Sequence, residues 1–324
     1  MIWKRALLIA GAMLAAACGR GEEPATMRLG VMPKLVGIDY FNACERGARE
    51  AAAELGVELV YDGPLTNDVT RQAEMIDTWI ARRFDAIAVA PNDPHALSPT
   101  LKRAMERGIA VLTWDADSDA DSRHYFVNQA TYEDIGYALV DIMAQQIGGS
   151  GEVATVTGSL TAANQNIWME WMDRRLEAAY PQMRLVTVRP SEEDQQLAFQ
   201  VAQDLLKAYP GLAGIFAITS VALPGAAEAL RQSGAAGRVA LTGLATPNSM
   251  RQYVKDGTVE TVLLWNPVDL GYLTVRAAAR LAEGGPLPEQ LEAGRLGPVQ
   301  VRGQEVLLGE PLRFTRANID EFDF

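Results

Sequence analysis

At 324 residues and 48% hydrophobic content, the chain holds enough apolar material to fill the cores of two α/β domains of ordinary size. Its formal net charge of −12 repels nucleic acid, and neither a basic patch nor a helix-turn-helix ahead of the first strand offsets that repulsion. The two histidines, His95 and His124, stand in no metal-ligand spacing, and the P-loop, G-x-S-x-G and C-x-x-C patterns are absent, so no metal, no cofactor and no enzymatic chemistry is expected.

Lys4 and Arg5 precede an apolar run over 6–17 that ends at Cys18. About a dozen apolar residues are too few to cross a ~30 Å hydrocarbon core, so 1–17 reads as a signal peptide. The stretch Leu14-Ala15-Ala16-Ala17-Cys18 resembles a bacterial lipobox, with Ala15 where leucine is usual, and implies a lipidated Cys18 followed by a flexible tether over 18–27. With Cys18 acylated only Cys44 remains, so no internal disulfide forms and the fold stands on its cores.

The stretch 27–56 states the plan that the chain repeats: an apolar strand over 28–32, a loop over 33–41, and an Ala-rich amphipathic helix over 42–55 closed by Gly56. Strands are then predicted at 57–61, 86–90, 110–113 and 125–127, with helices at 67–84 and 96–108 between them. Alternation of this kind makes a parallel sheet with helices on both faces. The pattern restarts near Asn128 with helices at 131–146, 166–180, 194–209, 222–233 and 249–256 and strands at 152–157, 184–189, 214–218, 239–243 and 261–266. A last helix over 267–283 precedes a Gly- and Pro-rich tail that crosses back between the lobes. Lobes of 28–128 with 267–299, and of 129–266 with 300–324, are the resulting expectation.

Ligands of open α/β sheets bind outside the carboxyl ends of the strands, so the polar and aromatic residues placed there are the candidates. Lys34 is a fixed cation after the first strand, and Tyr40-Phe41 offers stacking walls or core packing. Asn92 with Asp93 follows the third strand as contact or turn. Asp115 follows a buried strand, where a carboxylate accepts from two adjacent hydroxyls, whereas Asp119 and Asp121 read as solvated loop. Asn164, Gln165 and Asn166 open a second-lobe helix, one expected to cap it and the others to face the cleft. Ser220, Trp265 and Asn266 follow second-lobe strands, with a hinge role competing for Asn266, and Trp114 and Trp168 suit core or pocket.

The order and spacing of Pro33-Lys34-Leu35-Val36-Gly37, Tyr61-Asp62-Gly63-Pro64, Leu101-Lys102-Arg103-Ala104-Met105, Leu112-Thr113-Trp114-Asp115, Asn164-Gln165-Asn166, Thr246-Pro247-Asn248-Ser249-Met250 and the closing Asn318-Ile319-Asp320-Glu321-Phe322-Asp323-Phe324 resemble periplasmic sugar-binding proteins of ABC importers. The similarity is to the autoinducer-2 (Lsr-type) and rhamnose-binding branches of the ribose-binding-like family. It implies two Rossmann-like lobes joined by three crossovers, a type I periplasmic binding protein that closes on one ligand. Lys34, Asp115 and Gln165 match the ligand-binding lysine, aspartate and glutamine of the autoinducer-2 receptors. Asn164, Ile218 and Ser220 stand where those receptors have aspartate, proline and alanine, and Asn164-Gln165-Asn166 with Trp168 is nearer the rhamnose branch.

What the resemblance implies is a monomeric periplasmic lipoprotein that binds a small neutral sugar, such as rhamnose, another deoxyhexose or a pentose, or an autoinducer-2-like compound. Its partners would be an ABC permease and ATPase, with contact to the membrane only through the anchor. Two alternatives stay open: a sensor that presents the closed form to a membrane receptor, and a sugar-modifying enzyme.

Overall fold

A computed structural model describes residues 26–324; the expected signal peptide and Cys18 lie outside the described residues. The first lobe runs β1 (Arg28–Met32), α1 (Asp39–Leu55), β2 (Glu58–Tyr61), α2 (Val69–Ala81), β3 (Ala86–Val89), α3 (Pro94–Glu106), β4 (Ala110–Trp114) and β5 (Tyr125–Asn128). The second runs α4 (Tyr132–Ile147), β6 (Gly151–Thr157), α5 (Ala163–Ala179), β7 (Met183–Pro190), α6 (Gln195–Ala208), β8 (Leu212–Ala217), α7 (Ala222–Gln232), β9 (Ala240–Gly243), α8 (Pro247–Lys255) and β10 (Thr261–Leu264). The chain returns through α9 (Pro267–Ala282), β11 (Gln290–Glu292), β12 (Pro298–Arg302), β13 (Glu305–Leu307) and β14 (Leu312–Thr315).

Helix ends follow local chemistry. Gly56, at φ 66°, closes α1, while Asp68, Asp93, Thr131, Asp194 and Thr246 each accept a hydrogen bond from a backbone N–H of the helix that follows. Two helices start three residues earlier than the sequence reading. Helix α1 begins at Asp39, whose carboxylate suits the positive end of a helix, so Tyr40 and Phe41 lie in its first turn and not in a loop. Helix α5 begins at Ala163 behind Ala162, which gives no side-chain cap. None of Asn164, Gln165 and Asn166 therefore caps it: the first two are buried, and Asn166 Nδ2 donates to Leu160 O at 2.9 Å.

The first sheet has the order β11-β12-β13-β5-β4-β3-β1-β2, parallel from β13 to β2. The second is the parallel set β7-β6-β8-β9, extended through a Leu244–Leu263 bridge to the antiparallel pair β10-β14. Residues 300–307, expected with the second lobe, belong to the first sheet. The cause is a period-two pattern in which Val299, Val301 and Val306 are buried and β13 pairs beside β5, so the last return to the second lobe comes after Leu307.

Helix α9 leaves the second sheet and packs on the first lobe against α1, backbone on backbone. A Cβ at Gly47 would overlap Val268 O, and one at Gly271 would overlap Cys44 O. Contact at this range leaves no space for side chains and fixes α9 as part of the first lobe. Gly271→Ala should therefore force the helices apart at a cost of about 3 kcal/mol, read as a fall of several degrees in the melting temperature. An unchanged melting temperature would show that the helix pair slides to accept the methyl group.

Candidate functional site

Loops from the carboxyl ends of both sheets meet at one cavity of about 50 Å³. The first lobe contributes Lys34, Ile38, Tyr40, Phe41 and Asp115, and the second contributes Asn164, Gln165, Trp168, Glu193, Ile218, Thr219, Ser220, Leu244, Leu264 and Trp265. Crossovers between the sheets put these strand ends opposite one another, as the doubly wound plan requires.

Asp115 anchors the first-lobe wall. It has a left-handed φ of 62° immediately after β4, in a turn held by a Trp114–Ala116 bridge. Aspartate tolerates this region better than most residues, yet a buried instance still costs backbone energy. Its carbonyl accepts from Gln129 Nε2 at 3.1 Å and from Asn164 Nδ2, across the cleft, at 3.3 Å. Its carboxylate accepts from the Tyr40 hydroxyl at 2.6 Å, and the Tyr40 oxygen accepts from Trp265 Nε1 at 2.8 Å.

Burial raises the Asp115 carboxyl above the usual aspartate range; the nearby Lys34 charge and the Tyr40 hydrogen bond pull it back, and Glu193 adds to the rise. Burial, followed by the Asp115 charge, pushes the Tyr40 phenol well up, so it stays a donor.

Lys34 is buried, and its Nζ donates to Asn164 Oδ1 at 2.9 Å, a second bond between the lobes. Gln165 serves its own lobe: its Oε1 accepts from the Thr157 hydroxyl at 2.6 Å and from Gly158 N at 2.7 Å, and its Nε2 donates to Glu193 Oε1 at 2.9 Å. The aromatic wall is continuous. Phe41 packs edge-on against Tyr40 and Trp114 at 5.0 and 5.8 Å, and Trp265 lies 6.0 Å from Tyr40 and 5.9 Å from Trp168. Trp168 Nε1 is buried and finds no hydrogen-bond partner among the described residues.

Seven of the nine residues predicted as contacts are thus brought together: Lys34, Tyr40, Phe41, Asp115, Asn164, Gln165 and Ser220. Asn92 and Asn266 stand apart from the lining. Asn92 Nδ2 holds the Lys34 carbonyl at 2.9 Å, while its backbone N–H donates to Gln72 Oε1 at 2.9 Å, so it shapes the Lys34 loop from behind. Asn266 caps α9 by accepting from Val268 N at 2.9 Å and Asp269 N at 3.4 Å. Glu193 was missed. A signal was present, since the loop after β7 carries Glu192, Glu193 and Asp194 at a strand's carboxyl end, the same position that drew attention to Asp115.

Among the described residues no group of three or more His, Cys, Asp or Glu is gathered as a metal site, and no helix is long and apolar enough to cross a membrane.

An ABC-transporter solute-binding protein of Clostridium phytofermentas, solved with bound L-rhamnose, is 31% identical, superposes with a TM-score of 0.87, and matches over 92% of this chain and 98% of its own. LsrB of Clostridium saccharobutylicum, solved in complex with AI-2, is 26% identical with a TM-score of 0.88, over 92% of this chain and all of its own. The D-ribose/D-allose-binding protein of Pseudomonas aeruginosa is 26% identical over 248 residues, 74% of this chain and 76% of that protein. Residues 29–286 match the periplasmic binding protein domain, and the chain belongs to that family, in its type I, two-lobed form.

Proposed function

We propose that the protein is the sugar-binding component of an ABC importer, and that its ligand is a monosaccharide, rhamnose or a related deoxyhexose or pentose, with an autoinducer-2-like compound as the next candidate. The observation that carries this reading is the pairing of a continuous aromatic wall with buried hydrogen-bonding groups from both lobes around one cavity. A sugar ring needs that combination: an apolar face to stack on, and fixed partners for each hydroxyl in a place that excludes water. The L-rhamnose-bound relative and the Asn164 departure from the autoinducer-2 pattern both favour a sugar over autoinducer-2.

Closure supplies the mechanism. A cavity of about 50 Å³ holds only a few waters, so a ring enters when the lobes part and the direct bonds across the cleft give way to bonds with ligand hydroxyls. Lys34 Nζ and Asn164 separate to hold a ligand oxygen between them. The Asp115 carboxylate accepts from ligand hydroxyls beside the Tyr40 bond it already has, and the buried indole N–H of Trp168 gains an acceptor. The closed monomer then docks on the permease, which releases the sugar unchanged. Cys18, acylated after signal-peptide removal, tethers the protein to the membrane.

Four outcomes test this reading. In a thermal-shift screen of the chain from residue 19 onward against L-rhamnose, D-ribose, D-xylose, L-fucose, D-galactose and autoinducer-2, a deoxyhexose or pentose at a thousandfold excess over Kd should add about 4 kcal/mol of stability. Silence across the panel removes the sugar reading. Asp115→Asn keeps a residue that accepts the left-handed backbone but should weaken binding by about 2 kcal/mol, since a ligand hydroxyl loses a charged acceptor.

The same variant has a pH signature. The Asp115 carboxyl is raised in the folded chain, by burial first and with Lys34, Tyr40 and Glu193 around it. The folded chain therefore holds the proton to higher pH than the unfolded chain, and stability falls as pH rises between the two pKa values. Without ligand, Asp115→Asn should melt no lower than wild type at pH 7, and any advantage should shrink as the pH falls through the aspartate range. Finally, Cys18→Ser should move the protein from the membrane fraction to the soluble periplasmic fraction; an unchanged distribution would rule out the lipid anchor.

A further inference from the structure

Glu192 and Glu193, consecutive residues between β7 and α6, hold φ of 51° and 55°. This left-handed conformation is uncommon for glutamate and persists only where the surroundings over-determine it. Here they do. Ser191 N and Ser191 Oγ both donate to Thr157 O, at 2.8 and 3.0 Å, and Glu192 N donates to Gly158 O at 2.6 Å, so the turn is clamped to the end of β6. It aims Glu193 at the cavity, where Oε1 accepts from Gln165 Nε2 at 2.9 Å.

Gly158 is the seat. A Cβ there would overlap the Glu193 carboxylate, so only glycine leaves that group its place. Gln165 has no freedom to turn away, because its Oε1 is held by Thr157 and Gly158 and its amino group is left facing Glu193. Backbone, glycine and glutamine together build one feature, a carboxylate fixed in the second-lobe wall.

We propose that Glu193 is a specificity-determining residue: with Asp115 facing the cavity from the first lobe, it gives the site two acceptor-only groups, so that the site grips ligands through donating hydroxyls and rejects sugar acids. The inference rests on the sugar-binding reading above. Lys34 is the sole Lys or Arg among the lining residues, and its ammonium is engaged by Asn164 Oδ1. A ligand carboxylate would meet two like charges against one committed cation in a water-poor space, where such juxtapositions are costly. That Glu193 contributes to the raised Asp115 carboxyl is consistent with the two groups sharing one space. A neutral polyol meets no such repulsion and supplies the protons both carboxylates need.

The test is isothermal titration of wild type, Glu193→Gln and Gly158→Ala with L-rhamnose and with two matched pairs, D-fucose with D-galacturonate and D-xylose with D-glucuronate. Both variants should bind the sugar that wild type binds at least tenfold more weakly, with melting temperatures in the absence of sugar unchanged for Glu193→Gln. Wild type should bind each uronate about a hundredfold more weakly than a neutral partner it accepts, and Glu193→Gln should narrow that gap. Wild-type affinity in Glu193→Gln, a uronate bound as tightly as its neutral partner, or a melting temperature that drops on Glu193→Gln would each overturn the inference while leaving sugar binding intact. Wild type that ignores every neutral sugar overturns the sugar reading, and this inference with it.

Discussion

The rest of the site depends on one arrangement, a carboxylate buried at the end of β4 in a left-handed turn. Asp115 is 4% exposed, and the cation that offsets its charge, Lys34, gives its hydrogen bond to Asn164 in the other lobe. A charge in that position is held up by neighbours: the Tyr40 hydroxyl donates to it, and Trp265 donates to Tyr40 in turn. Trp265 stands between β10 and α9, where the chain leaves the second lobe, so the hydrogen-bond chain ends at a crossover between the lobes. Three side chains, Asp115, Tyr40 and Trp265, thus run from the buried carboxylate to the point where the chain leaves the second lobe.

Those elements are rigid for reasons visible in the backbone. Gly47 and Gly271 let α1 and α9 touch, and this contact holds the helix that carries Tyr40 and the helix that follows Trp265 together on the first lobe. The tail strands β11, β12 and β13 extend the same sheet, while β14 pairs with β10 on the other. Three short passages, after β5, β10 and β13, connect the two lobes. In the closure proposed above, two closely packed bodies joined at a few such passages would move as a hinge and not as a deformable whole.

The alternation of strand and helix was legible in sequence because period and punctuation agreed: apolar runs, Gly56 at a helix end, and Asp, Thr or Pro at helix starts. Lys34, Asp115 and Asn164 were legible because each lies within two residues of a strand's carboxyl end or opens a helix on the ligand side. Asn92 and Asn266 occupied equally suggestive positions and turned out to serve the backbone, Asn92 on the Lys34 carbonyl and Asn266 on α9. Sequence position cannot separate these cases, since an Asn amide fits a turn, a cap or a ligand with the same atoms. The early starts of α1 and α5 escaped because neither helix has a side-chain cap, and Glu193 escaped because its role depends on Gly158, 35 positions away, having no side chain.

In the closure mechanism proposed above, the bonds that cross the cleft also decide what kind of ligand is selected. Lys34 to Asn164 and Asn164 to the Asp115 carbonyl already favour approach of the lobes. A ligand shifts the hinge equilibrium only by the difference between its own contacts and those it displaces. A molecule that offers an acceptor to Lys34 but no donor to Asn164 or Asp115 leaves buried polar atoms without partners, and each of these costs more than a hydrogen bond returns. A ring with hydroxyls on adjacent carbons avoids this, because every hydroxyl is donor and acceptor at once and replaces a displaced bond on both sides. Discrimination in such a site therefore arises less from the strength of any single contact than from the requirement that every exchanged bond be matched.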